Sequence, residues 1–104
     1  MASSTNAPML DPAVLERVAP VVRNAAHPLR LGIIDFLRYA GEPQTVSEIM
    51  AGIRAEQSIV SQHLRILKDQ GILSAQRDGN HVRYDIANPS VLYLLECIRS
   101  HQGV

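Results

Sequence analysis

The chain has 104 residues, and what it lacks narrows the reading first. It holds one cysteine, Cys97, and ten Lys and Arg are balanced by ten Asp and Glu. A single thiol excludes an intramolecular disulfide framework and suggests a reducing compartment. Zero net charge means that composition by itself does not announce a nucleic-acid binder. No apolar run approaches the roughly eighteen residues a membrane helix requires, and no charged, apolar and small leader opens the chain. The expectation is a cytoplasmic protein with no membrane partner. A glycine-rich phosphate loop, a metal tetrad and a nucleophile-base pair with an oxyanion site are missing too, which leaves an enzyme as the weakest class.

What is present points to a small globular domain. Hydrophobic residues make up 46% of the chain, yet so short a chain buries only a thin core, and pairing with a second copy would help to stabilise it. Residues 1–9 are small and polar with nothing to bury, and read as a flexible arm ahead of a domain over 10–104.

The informative stretch is Ala55 to Asp85. Val60, Leu64 and Leu67 recur at three- and four-residue spacing, so they share one buried face of a helix. The other faces carry Gln57, Ser58, Ser61, Gln62, His63, Arg65 and Lys68. Amides, hydroxyls and cations packed this densely are what reading base edges and holding phosphates in a major groove requires. Gly71 supplies a left-handed cap, and two short alternating runs follow around Asp78-Gly79-Asn80. Helix, cap and hairpin in that order make a winged helix. Between Arg54 and Arg83 five cations (Arg54, Arg65, Lys68, Arg77 and Arg83) meet three acids (Glu56, Asp69 and Asp78), a mild local excess of two.

Elsewhere the pattern is helical. Asp11-Pro12 is an N-cap followed by proline, and Val14, Leu15, Val18, Val21 and Val22 continue an apolar face to about Ala26, with Pro20 expected to kink or divide it. Pro28 opens a second helix carrying Leu31, Ile34 and Leu37, stopped by Gly41 and Pro43. Thr45-Val46-Ser47-Glu48 is a capping box for a third, scaffold helix with Val46, Ile49, Met50 and Ile53 on its apolar face. Asn88-Pro89 repeats the cap-plus-proline signal and starts a last helix. The predicted fold is mainly α with a small β-hairpin, in the order α-α-α-α-β-β-α. The wide stripe of Val91, Leu94, Leu95 and Ile98 has little of its own domain left to cover. With Val14 and Val18 of the first helix it is assigned to the interface of a homodimer.

The string QSIVSQHLRILKDQGILSAQRDGNHVRYDI resembles the recognition helix and wing of the ArsR/SmtB family of bacterial winged-helix repressors. HPLRLGIIDFL resembles that family's second helix, and the match runs from about Val21 to Ile98. The resemblance implies a dimeric transcriptional repressor that binds an operator in double-stranded DNA and releases it on sensing a signal. Arg54 stands where the family commonly has glycine, and Glu56 where a serine N-cap is frequent. Arg54 would then take a left-handed backbone, or the turn is of another type, and Glu56 can still cap.

For base edges the candidates are Ser58, Ser61, Gln62 and Arg65, with Gln57, His63 and Lys68 suited to phosphates or the helix start. A merely solvated polar face is the alternative. Ile59, where the family often has threonine, could meet a thymine methyl or simply pack. On the wing, Arg77, Asn80, His81 and Arg83 suit the flanking backbone or the minor groove, with plain surface charge as the other reading. Arg30 resembles a family position near the phosphates, with a structural salt bridge as the alternative.

The sensor is the open question. Many family members bind a metal through Cys-x-Cys, but the corresponding stretch from Gln44 to Met50 has no thiol or imidazole. Others use the last helix, which here offers only Cys97 and His101, with Tyr93 one turn earlier. Two ligands are too few for tetrahedral zinc unless a two-fold axis brings in a second pair, so no metal or other cofactor is assigned. Cys97 could sense oxidants through an intersubunit bond or a sulfenic acid, or be a small buried hydrophobe at the interface. His27 reads as a helix-start residue. A winged helix that docks proteins and never binds DNA is the alternative function, with zero net charge as its best argument.

Overall fold

The computed structural model describes residues 7–102. The arm expected over residues 1–9 therefore lies outside the described residues as far as residue 6, and Ala7 to Met9 are exposed. Five helices and three short strands follow: α1 (Pro12–Ala25), α2 (Pro28–Ala40), β1 (Gln44–Thr45), α3 (Val46–Ile53), α4 (Gln57–Asp69), β2 (Leu73–Asp78), β3 (His81–Ile86) and α5 (Val91–His101).

Local signals set the helix boundaries. The Ala13 amide donates to Asp11 Oδ1 at 2.9 Å and starts α1, which runs through Pro20 without dividing. His27 caps α2 by accepting from the Leu29 amide at 3.1 Å on Nδ1, and Gly41 ends it at φ 74°. Thr45 and Glu48 form the reciprocal capping box of α3, at 3.2 Å and 2.8 Å. Two signals act otherwise than expected. Glu56 makes no side-chain cap to α4, so its carboxylate contributes only its charge at that helix end. The last helix begins at Val91, because Asn88 Oδ1 accepts from the Ser90 amide at 3.0 Å and holds Pro89-Ser90 in a turn.

The core lies between α2, α3, α4 and the sheet. Ile33, Ile34, Leu37, Ile49, Val60, Leu64, Leu67, Ile72 and Leu73 form one buried cluster. Such a cluster, at about 25 cal/mol per Å² of apolar area, is what holds a domain this small together. Val91 and Leu95 belong to that cluster too. This corrects their assignment to a dimer interface: α5 lays them on α2, and they are 2% and 6% exposed within one chain.

The sheet has a strand beyond the hairpin. β2 and β3 pair antiparallel from Leu73↔Ile86 to Asp78↔His81, with Gly79 taking the positive φ of 65° in the two-residue loop. β1 adds to the other edge of β3 through Gln44↔Tyr84 and Thr45↔Arg83. The wing is thus joined to the start of the scaffold helix.

Outside this core, α1 and α5 leave apolar surface uncovered. Leu15, Val18 and Val22 on α1 and Tyr93 and Ile98 on α5 are exposed, and Val14 and Leu94 are half-buried. A groove of about 440 Å³ runs between the two helices, lined among others by Val18, Val21, Val22, Val91 and Leu94. Among the described residues no helix is long and apolar enough to cross a membrane.

Candidate nucleic-acid interface

Helix α4 is fixed from beneath and open above. Val60, Leu64 and Leu67 are fully buried, and their spacing turns Gln57, Ser58, Ser61, Gln62, Arg65 and Lys68 outward, all exposed. Ser58, Ser61, Gln62 and Arg65 line one shallow recess together with Ile66 and Asp69. These are the four residues predicted for base edges, gathered on a single face. Ile59 beside them is 41% exposed, which leaves its apolar side chain free to meet a ligand.

The turn into α4 is sharp because Arg54 adopts a left-handed backbone, with φ 58° and ψ 53°. It is the one residue other than glycine with positive φ among the described residues. Without that reversal, the amide of Ala55 would not reach the Met50 carbonyl, to which it donates at 3.2 Å.

Several exposed cations lack an ion-pair partner among the described residues, Arg17 and Arg23 of α1 as well as those around α4. Among the described residues, Arg54, Arg65, Lys68 and Arg77 enter none of the ion pairs, which involve Arg38, Arg83 and Arg99. Unpaired cations keep their field for an external anion. On the wing, Arg77, Asn80 and His81 are exposed at or beside the tip. Arg83 has partners within the chain. Its Nε donates to Asp78 Oδ2 at 2.9 Å and its Nη1 lies 3.5 Å from Glu48 Oε1. These two exposed ion pairs tie the wing to the scaffold helix and compete with any external anion for Arg83. Glu48 is held below the usual carboxylate range chiefly by the Thr45 backbone amide, with Arg83 and His81 adding to the effect.

His63 and Arg30 are also partnered within the chain. Both are half-buried, and Arg30 Nε donates to His63 Nδ1 at 3.0 Å. Arg30 Nη1 donates to the Asn24 backbone oxygen at 3.1 Å and approaches its Oδ1 at 3.4 Å. The His27 ring stands against His63 with centroids 4.7 Å apart. Neither the salt bridge nor the free phosphate ligand anticipated for Arg30 describes this cluster. Burial pushes the His63 imidazole below its ordinary value, and the charges of His27 and Arg30 push it further. Asn24 was not singled out in the sequence, and only its place in the last turn of α1 could have suggested it.

At the far end of the chain, Cys97 is exposed. Its backbone oxygen accepts from Ser100 Oγ at 2.9 Å and from His101 Nδ1 at 2.8 Å. His101 is thereby turned to the backbone and not to the thiol. Among the described residues no three His, Cys, Asp or Glu side chains are grouped to hold a metal.

Residues 27–75 match the family described as bacterial regulatory protein, arsR family. The chain is also 33% identical over 88 residues to the transcriptional repressor PagR of Bacillus anthracis, covering 85% of this chain and 87% of that one. The chain belongs to the ArsR family. The crystal structure of PagR superposes with a TM-score of 0.74 at 32% identity, over 85% of this chain and 99% of PagR. The transcriptional repressor SmtB of Mycobacterium tuberculosis is 30% identical over 90 residues, 86% of this chain, and the match spans 65% of SmtB's length. A homodimeric winged helix-turn-helix DNA-binding domain from Mycobacterium bovis, a possible ArsR-family regulator, has a TM-score of 0.71 at 30% identity, over 90% of this chain and 87% of that one. PagR and SmtB are transcriptional repressors. For an ArsR-family chain, α3 and α4 are the helix-turn-helix, and the β2–β3 hairpin is the wing.

Proposed function

We propose that this chain is a homodimeric, sequence-specific DNA-binding transcriptional repressor that reads an inverted repeat. The observation that carries the reading is the exposed face of α4, where Ser58, Ser61, Gln62 and Arg65 share one recess above a fully buried Val60, Leu64 and Leu67. Amide and guanidinium groups on a rigid helix can form paired hydrogen bonds to adenine and guanine edges. Gln57, Lys68, Arg54 and Arg77 flank that face and would hold phosphates, which fixes register without reading sequence. Asn80 and His81 would meet the flanking groove.

The exposed residues Leu15 and Val18 of α1 and Ile98 of α5, with half-buried Val14 and Leu94 beside them, support pairing with a second copy, as in the homodimeric Mycobacterium bovis domain. Two copies about a two-fold axis would set two α4 helices into successive major grooves, about 34 Å apart. The reading assigns no metal or other cofactor, because the stretch that would hold a Cys-x-Cys has no thiol and His101 is turned from Cys97.

The test is a fluorescence anisotropy titration against the duplex upstream of the chain's own gene, with a scrambled duplex as control and salt varied. Selective, salt-sensitive binding is expected. Gln62→Ala and Arg65→Ala should each cost about 1–3 kcal/mol of selectivity. Unchanged affinity and salt slope in both variants would refute the role of α4. Equal weak binding to both duplexes would favour protein docking, to which zero net charge lends support.

A further inference from the structure

We propose that His63, Arg30, His27 and Asn24 form a proton-operated latch between the α1–α2 corner and helix α4, closed while His63 is neutral and opened when it takes a proton. In it His63 acts as a positioning residue for α4 and not as a ligand of DNA. The proposal rests on the DNA-binding reading only for its consequence, since the latch itself lies within one chain.

The hydrogen bonds fix the protonation states that the closed form allows. Arg30 Nε is always a donor, so His63 Nδ1, 3.0 Å away, must present a lone pair. Neutral His63 therefore carries its proton on Nε2. The Nδ1 of His27 is likewise an acceptor, from the Leu29 amide. A proton added to His63 goes to Nδ1, sets two N–H groups against each other and leaves two cations in contact. Arg30 holds its other end on the Asn24 carbonyl and amide oxygens, and Asn24 Nδ2 is in turn tied to the Pro20 carbonyl at 2.7 Å. The latch thus connects α4 through α2 to the middle of α1.

No opposite charge relieves the cluster. The charged or titratable groups acting on His63 are His27 at the start of α2 and Arg30 within it. From α1 comes the uncharged Asn24, while α3 and β2, which also pack on α4, bring no charged group to His63. Among the described residues none of the three cationic or imidazole side chains meets a carboxylate. Burial and these neighbours depress His63 below its ordinary 6.5. The sign follows: the unfolded or opened chain binds the proton more readily. The closed form therefore loses ground as pH falls below about 6.5.

The direction of the effect on DNA separates this latch from simple electrostatics. Added positive charge strengthens binding to a polyanion, whereas an opened latch removes the polar tie that sets α4 against the α1–α2 corner and weakens selective binding. The experiment uses the full chain between pH 7.5 and 5.5, reading the urea midpoint and the operator Kd, for wild type and His63→Gln. Glutamine keeps an acceptor for Arg30 and does not titrate. Expected is a falling midpoint and a roughly fivefold rise in Kd for wild type, both flattened in the variant. Imidazole nitrogen NMR on wild type, which needs no variant, should find the Nε2–H form of His63 at pH 7.5. Parallel pH profiles for wild type and variant, or an Nδ1–H His63, would overturn the proposal. A wild-type midpoint that falls while the variant's stays flat, with no operator binding at any pH, would support the latch and refute the DNA reading alone.

Discussion

Replacing Arg54 by glycine should stabilise the protein, although it deletes a charged side chain from the helix-turn-helix. Arg54 sits at φ 58° and ψ 53°, where the Cβ of any L-residue crowds the following carbonyl at a cost of about 1–2 kcal/mol. Glycine removes that cost but gains freedom in the unfolded chain, which returns roughly 0.5–1 kcal/mol. The middle of these ranges leaves a net gain of about 0.75 kcal/mol, a few degrees in the melting temperature of a domain this size. Arg54→Ala is the control, because alanine keeps the Cβ and should leave stability within about 0.5 kcal/mol of wild type. Calorimetric and urea midpoints must be read at one protein concentration, since association shifts them by mass action. If glycine and alanine move the midpoint equally, the backbone is not the source and the argument fails. The two variants delete the same guanidinium, so their operator affinities should fall together.

Three further outcomes are expected. Glu48→Gln should weaken α3 at neutral pH; because the folded Glu48 carboxyl is depressed below 4.5, its contribution is present above that value. The gap between wild type and variant in urea midpoint should therefore close as pH falls through the acid range. Arg77→Ala should lower the salt slope of operator binding by about 0.9, whereas Arg83→Ala, already paired with Asp78 and Glu48, should leave the slope unchanged and alter stability by less than about 1 kcal/mol. Val18→Glu, in an exposed apolar stripe, should shift the chain from dimer to monomer in sedimentation equilibrium without disturbing the helical circular dichroism of each chain.

The sequence was most informative where one segment carries its own signal. The spacing of Val60, Leu64 and Leu67, the box of Thr45 and Glu48, and the Asp78-Gly79-Asn80 turn are local patterns, and each lies where it was expected. Some departures are local, as where Asn88 bonds the Ser90 amide and delays the last helix, but most depend on partners distant in sequence. Strand β1 has two residues, too few to show an alternation, and exists only because β3 offers an open edge. Arg30 and His63 are 33 positions apart, so nothing near either announces that one orients the other. Val91 and Leu95 looked uncovered because their cover, α2, lies more than fifty residues back in the chain. Arg83 had the composition of a phosphate ligand, and only the fold shows which carboxylates reach it first.

Thr45 belongs to two elements at once. Its backbone faces Arg83 across the sheet, and its hydroxyl accepts from the Glu48 amide at the start of α3. A strand that becomes a helix at one residue leaves no slack between them, so wing and scaffold turn as a single stiff lever. The wing therefore moves with the start of α3 as one piece. A change in how the subunit meets a ligand would then enter where this piece joins the rest of the chain, at α4 through the His63–Arg30 cluster or at α1 and α5, and not between strand and helix.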